Sequence, residues 1–177
     1  RFMNRKLSLE VNLKAPEMNL STIRPGTEQM IRWKDPKKHN EREYAFVYIH
    51  GFTGYRGEIS PFIEDIQDKF DANLFFTRVA GHGVIGKKIA AATVTDWLSN
   101  IDETYAFAKR LGKKHVYFGA STGAGMAMLL TEKYDPQSCL ILFSPNFGLN
   151  NGITMIGTGP LGFLGLNMLI GNTAMDS

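Results

Sequence analysis

The segment Tyr44 to Ile49 constrains the fold most, because it is almost continuously apolar. A short run of this kind is typical of a strand buried on both faces, as in a parallel sheet covered by helices. Further strands are predicted at Leu74 to Val79, His115 to Phe118 and Ser138 to Phe143. Between them, apolar residues recur at helical spacing in the segments 61–70, 95–111 and 122–134. This alternation predicts an α/β fold, a mostly parallel sheet with helices on both faces, joined by right-handed crossovers.

Local signals predict where the elements end. Ser60 is expected to cap the helix that Pro61 opens, since Ser is a favoured cap and Pro fits a first turn. The helix 95–111 should end at Gly112 and bury one stripe of side chains, namely Trp97, Leu98, Ile101, Tyr105 and Ala108. Near the start of the chain, Leu7 to Leu13 and Thr27 to Trp33 are predicted as strands of an antiparallel edge.

The composition is ordinary for a soluble globular protein, with 44% hydrophobic and 21% charged residues. The net charge of +3 is mild and the basic residues are scattered, which argues against nucleic-acid binding. The single cysteine, Cys139, lies in an apolar run and is predicted to be a buried hydrophobe rather than a reactive thiol. Without a cysteine cluster, the sequence offers no thiolate metal site.

The C-terminal segment has a different composition, since no charged residue occurs between Asp135 and Asp176. A membrane span needs about twenty predominantly apolar residues, and the glycines that interrupt this segment argue against one. We expect residues 147–171 to form an apolar flap over a binding cleft, within a single domain that comprises residues 1–177. The first residues lack the apolar core of a signal peptide, which slightly favours a cytoplasmic location and leaves an upstream export or anchor segment open.

A Gly-x-Ser-x-Gly pentapeptide, Gly119 to Gly123, joins a predicted strand to a predicted helix. A serine hydroxyl becomes an effective nucleophile only when a base takes its proton and donors stabilise the oxyanion that forms. A tight turn at this point would expose the hydroxyl of Ser121, and the flanking glycines would let the strand and the helix approach closely. An ordinary glycine-rich strand-to-helix turn is the alternative.

Two more glycine motifs follow predicted strands: His50-Gly51-Phe52 after 44–49, and Gly81-His82-Gly83 after 74–79. With the pentapeptide, this series resembles the α/β-hydrolase superfamily, most closely its carboxylesterase and monoacylglycerol-lipase branch. The resemblance covers about residues 44–147 and implies an α/β-hydrolase fold that is incomplete at the C-terminus.

The resemblance also implies roles for individual residues. Ser121 would be the nucleophile, and the backbone N–H groups of Phe52 and Thr122 would form the oxyanion hole. Gly51, His50 and His82 would belong to the supporting loops. Either histidine could act as a base, but we expect both to brace their loops by hydrogen bonding.

The rest of a catalytic triad is missing from this sequence. In this fold the order along the chain is nucleophile, acid, histidine, yet no histidine follows Ser121. The later carboxylates are Glu132, Asp135 and Asp176, and none of them follows a further predicted core strand. We expect the acid and the histidine to lie beyond Ser177, whereas a non-catalytic homologue is the alternative.

The predicted function is that of a serine esterase or lipase acting on carboxylic esters with apolar acyl groups, such as monoacylglycerols. Its partner would be a small-molecule ester, with no metal and no organic cofactor. Two alternatives stay open at this point: a hydrolase-fold protein that only binds ligands, and a related acyl or carbon–carbon bond hydrolase.

Overall fold

The computed structural model describes residues 23–84 and 92–146. Its strands and helices are β1 (Met30–Arg32), β2 (Arg42–Ile49), α1 (Ser60–Lys69), β3 (Ala72–Phe76), α2 (Val94–Leu111), β4 (Gly112–Ala120), α3 (Thr122–Tyr134) and β5 (Cys139–Phe143). The chain divides into two units, Arg1–Pro145 and Asn146–Ser177, and all of these elements belong to the first. The predicted strand Leu7 to Leu13 and the predicted flap 147–171 lie outside the described residues.

The five strands form one sheet in the order β1-β3-β2-β4-β5. Strands β2, β3, β4 and β5 are parallel, and β1 pairs antiparallel with β3 at one edge. Because the sheet is mostly parallel and helices cover both of its faces, the predicted α/β architecture is confirmed.

The central strand β2 supplies both layers of the core. Ala45, Val47 and Ile49 pack on one face with residues of α2 and α3, whereas Phe46 and Tyr48 pack on the other face with Ile63 of α1. Successive side chains of a strand point to opposite faces, so a strand covered on both sides must be apolar throughout. Burying each large apolar side chain contributes roughly 1.5–3 kcal/mol.

One buried polar side chain, Asn73 in β3, ties three segments of backbone together. Its amide nitrogen donates to the carbonyl oxygens of Asn40 and Leu111, each at 2.8 Å, and its oxygen accepts from the N–H of Lys34 at 3.0 Å. Asn73 is 0% exposed, so these bonds replace the water that the amide loses on folding.

Two predicted strands extend beyond the observed ones, for an identifiable reason in each case. The segment Thr27 to Trp33 contributes only Met30–Arg32, because Thr27 closes a turn by donating from its N–H and its hydroxyl to the carbonyl oxygen of Arg24. The segment Leu74 to Val79 leaves the sheet after Phe76, and the N–H of Val79 donates instead to the imidazole of His50 at 3.0 Å.

Three predictions about single side chains are wrong. Ser60 does not cap α1 but is its first residue, and its hydroxyl donates to Glu64 one turn later. Leu98 is 46% exposed, because the buried stripe of α2 instead runs through Ile101, Thr104, Phe107, Ala108 and Leu111. Cys139 is exposed, because β5 is the edge strand of the described sheet.

Replacing Asn73 tests the role of the buried amide. We expect Asn73→Ala to lower the free energy of unfolding by about 2–4 kcal/mol, because it leaves two carbonyl groups and one N–H without a partner. Denaturant unfolding measures the change. Asn40→Ala is the matched control, since Asn40 takes part through its backbone oxygen; an equal loss of stability in both variants would contradict this account.

Candidate active site

Ser121 occupies a strained turn between β4 and α3. Its backbone angles, φ 50° and ψ −112°, are rare for a residue with a side chain and occur mainly where the surrounding structure enforces them. Its N–H donates to the carbonyl oxygen of Phe143 at the end of β5, at 3.0 Å. The side chain is half-buried, and the hydroxyl has no hydrogen-bond partner within residues 23–84 and 92–146.

The glycines of the pentapeptide lie where a side chain would not fit. A Cβ on Gly123 would come within 2.2 Å of the carbonyl oxygen of Ile49, and one on Gly119 within 2.6 Å of the Cα of Ala124. In the loop after β2, a Cβ on Gly51 would lie 3.2 Å from the Cβ of Ser121. The loop at 50–54 therefore packs directly against the turn at Ser121.

The two backbone amides singled out from the sequence flank this contact. Phe52 lies in a turn that the N–H of Gly54 closes by donating to the carbonyl oxygen of Gly51 at 3.0 Å. Thr122 is the first residue of α3, where an N–H has no partner inside the helix. Neither amide donates a hydrogen bond to any other described residue, and the N-terminus of α3 adds partial positive charge.

His50 links the loop after β2 to the loop after β3. Its Nε2 accepts from the N–H of Val79 at 3.0 Å, so the proton lies on Nδ1, which donates to the carbonyl oxygen of Gly51 at 2.9 Å. Burial lowers the pKa of His50 to about 4. The imidazole is thus neutral at physiological pH, with both nitrogens occupied by backbone groups.

His82 lies beside His50 in the second loop and is also buried, at 3% exposure. Its Nδ1 donates to the carbonyl oxygen of Ala80 at 3.1 Å, and Nε2 has no hydrogen-bond partner among the described residues. Its ring makes edge contacts with the rings of His50, at 4.9 Å between centroids, and Phe52, at 5.9 Å. Burial lowers the pKa of His82 as well.

His115, in contrast, lies toward the opposite end of β4 from Ser121. Six residues separate the two positions, which in a strand corresponds to about 20 Å. The ring nitrogens of His115 face the Asp135 carboxylate at 2.5 Å and the carbonyl oxygen of Gly112 at 3.2 Å. This arrangement joins β4 to the end of α3 and has no part in the site.

Two residues beyond neighbouring strand ends have a strained backbone that no sequence pattern marks. Thr53 and Ser144 have positive φ angles of 65° and 44°, which are uncommon for residues other than glycine. Both follow strands that end at the same edge of the sheet as β4, so three strained residues (Thr53, Ser121 and Ser144) lie beyond neighbouring strand ends. Backbone strain of this kind clusters at functional sites.

Exposed aromatic side chains lie close to the turn. Phe52 and Phe62 are 38% and 51% exposed, and the rings of Phe62 and Phe143 meet edge to face at 6.1 Å. Across the described ranges, no cluster of three or more His, Cys, Asp and Glu side chains could hold a metal ion. No helix in this part of the chain is both long and apolar enough to cross a bilayer.

The neutral state of His50 makes stability depend on pH. Its folded pKa of about 4 lies below its ordinary value of 6.5, so the unfolded chain binds the proton more tightly. The contribution is fully present above pH 6.5 and is lost as the pH falls toward 4, by about 3 kcal/mol. We expect the unfolding free energy of His50→Asn to vary less across this window than that of the wild type. Titration of the His50 ring near pH 6.5 in a ¹H–¹⁵N NMR experiment would contradict the assignment.

Three of the solved structures with a similar fold are described as esterases or lipolytic enzymes. One from LipS and LipT, two metagenome-derived lipolytic enzymes, has a TM-score of 0.63, is 18% identical, and aligns with 78% of this chain and 54% of its own. Est1E from Butyrivibrio proteoclasticus, with ferulic acid bound, has a TM-score of 0.54 and is 21% identical; the alignment covers 67% of this chain and 48% of Est1E. A marine microorganism esterase has a TM-score of 0.53 and is 16% identical; the alignment covers 85% of this chain and 52% of the esterase. The chain thus spans about half the length of each.

At such identities these structures establish the fold alone, and no curated protein matches the chain. The family model Hydrolase_4, described as serine aminopeptidase, S33, matches residues 40–170. The matched region contains β2 to β5 and the three glycine motifs at their ends. The chain therefore belongs to the Hydrolase_4 family of α/β-hydrolases.

Proposed function

We propose that the protein is a serine hydrolase of carboxylic esters with apolar acyl groups, which works through an acyl-enzyme on Ser121. The observation that carries the proposal is the turn at Ser121. A strained backbone presents a hydroxyl without a partner in the described residues, and the loop of Gly51 packs against it. Strain without a structural benefit is costly, so its presence supports a chemical role.

In the first half of the reaction, the Ser121 oxygen attacks the ester carbonyl while a base takes the hydroxyl proton. The negative charge that develops on the carbonyl oxygen is held by the N–H groups of Phe52 and Thr122, which are fixed before the reaction begins. The carbon–oxygen bond to the alcohol then breaks, and the base returns its proton to the leaving alkoxide. Water, activated by the same base, hydrolyses the acyl-serine.

The base in this scheme is a histidine from outside this sequence, oriented by a carboxylate that also lies outside it. His50 is unsuited to the task because backbone groups occupy both of its ring nitrogens. His115 lies toward the far end of β4. His82 has no hydrogen-bond partner at Nε2 among the described residues, but its ring is buried and packs edge to face against the ring of Phe52.

The exposed aromatic side chains support an apolar acyl group. Phe52 lies in the loop after β2, which packs against the turn at Ser121. Phe62 contacts the ring of Phe143 at the end of β5. Both side chains are substantially exposed. Apolar side chains around a few polar groups are typical of small-molecule sites.

A second candidate is hydrolysis of a peptide bond at an amino terminus, because the matching family is described as serine aminopeptidase. The nucleophile and the oxyanion donors would be the same, so the turn itself does not separate the two reactions. Recognition of a free amino terminus would require a negatively charged or carbonyl-rich pocket. The exposed aromatic surroundings of Ser121 favour the ester.

Substitution of the nucleophile tests the mechanism. In the full-length protein, we expect Ser121→Ala to lower kcat for p-nitrophenyl butyrate by about a million-fold and to abolish covalent labelling by a fluorophosphonate. Ser138→Ala is the matched control, because Ser138 lies in the turn before β5 and donates to the carbonyl oxygen of Asp135. Retention of wild-type activity in Ser121→Ala would remove Ser121 as the nucleophile.

Paired substrates separate the two candidate reactions. We expect the full-length protein to hydrolyse p-nitrophenyl esters of four- to eight-carbon acids, at about a hundred-fold or greater kcat/KM than aminoacyl p-nitroanilides, a difference of roughly 2.7 kcal/mol in transition-state stabilisation. The reverse order would favour the aminopeptidase. Absence of turnover on both classes, with no fluorophosphonate labelling, would favour a ligand-binding protein.

A further inference from the structure

Two side chains of α2 hold the peptide groups of Ala80, in the loop after β3. The Asn100 side-chain oxygen accepts from the N–H of Ala80 at 2.7 Å, and the Trp97 indole N–H donates to its carbonyl oxygen at 3.1 Å. We call Trp97 and Asn100 the Ala80 clamp. Both are half-buried, and neither bond is needed to form α2, which already has a capping box between Thr93 and Asp96 at its start.

The clamp fixes the orientation of a second side chain. The carbonyl oxygen that accepts from Trp97 also accepts from Nδ1 of His82, at 3.1 Å. Val79, the residue before Ala80, donates from its N–H to Nε2 of His50. The segment 79–82 is thus bonded to α2 on one side and to the loop after β2 on the other.

His82 in turn contacts the loop that carries the proposed oxyanion donor. Its ring meets the ring of Phe52 nearly at a right angle, 85°, and the ring of His50 at 63°. Thr53, which follows Phe52 in this loop, has a φ angle of 65°. A turn with such a residue is held only when contacts around it over-determine its shape, and His82 provides one of these contacts.

From this chain of contacts we infer that Trp97 and Asn100 are positioning residues, which fix the direction of the Phe52 amide through Ala80 and His82. The inference rests on the proposed role of that amide as an oxyanion donor. Removing a whole oxyanion donor costs about 10²–10³ in kcat, and a donor that is only misdirected costs less. The effect falls on kcat rather than KM, because the oxyanion exists only in the transition state.

Variants at Asn100 provide the test, in the full-length protein with p-nitrophenyl butyrate. Asn100→Ala removes the acceptor of the Ala80 N–H, and we expect kcat to fall by about ten-fold to a hundred-fold with KM within about three-fold. Asn100→Asp keeps an oxygen acceptor and should recover most of the lost kcat. Trp97→Phe removes the indole N–H and should resemble Asn100→Ala. Ser99→Ala, an exposed neighbour on α2 whose hydroxyl donates to the carbonyl oxygen of Thr95, should match the wild type.

Hydrogen exchange of the Gly54 amide, which closes the turn around Phe52 by donating to the carbonyl oxygen of Gly51, supplies a readout that does not require turnover. We expect exchange at Gly54 to be faster in Asn100→Ala than in the wild type, at temperatures well below unfolding. Wild-type kcat and exchange in Asn100→Ala would overturn the inference while leaving the proposed function intact. A drop of kcat in Asn100→Asp as large as in Asn100→Ala would also overturn it. A wild-type protein without any hydrolase activity would instead overturn the proposed function.

Discussion

The pairing of β2 with β4 is the constraint on which the candidate site depends. The two strands are parallel neighbours, with Ile49 opposite Gly119, so the chain leaves both strands at the same edge of the sheet. The loop after β2 and the turn after β4 must then share a small space. Gly51 packs closely against Ser121, where a Cβ would be tight at 3.2 Å, and Gly123 lies so close to the carbonyl oxygen of Ile49 that a side chain would not fit. The contact between the loop and the serine turn is thus a direct consequence of strand order.

Two buried imidazoles, those of His50 and His82, hold these loops together, although burying a polar group away from water costs free energy. A buried polar group is tolerated when its hydrogen bonds are made inside the protein, and His50 meets this condition with two backbone partners. His82 meets it at Nδ1, whereas Nε2 lacks a partner among the described residues. Burial favours the neutral ring in both residues. The loops are therefore joined by uncharged hydrogen bonds and ring contacts. Neither histidine places a charge beside the proposed oxyanion donors.

Sequence patterns predicted well the features that depend on neighbouring residues in the chain. The apolar run of β2 and the helical spacing in α2 and α3 identified the elements, and the alternation of strands and helices identified the sheet type. Ends were predicted less well. The chain leaves β3 early because Val79 bonds to His50, a residue 29 positions away, and no local pattern encodes that bond. Cys139 and Leu98 were misjudged because their exposure depends on which elements cover β5 and α2.

By itself, the sequence determined the fold class, the position of Ser121 between a strand and a helix, and the glycines that such a turn needs. These features follow from side-chain periodicity and from the steric limits of single residues, which are local properties of the chain. Only the tertiary structure decided that Ser121 has a positive φ, that the hydrogen bonds of His50 leave neither ring nitrogen free, and that Trp97 and Asn100 hold Ala80. Each of these depends on contacts between segments distant in sequence, and such contacts exist only after the sheet has brought the segments together.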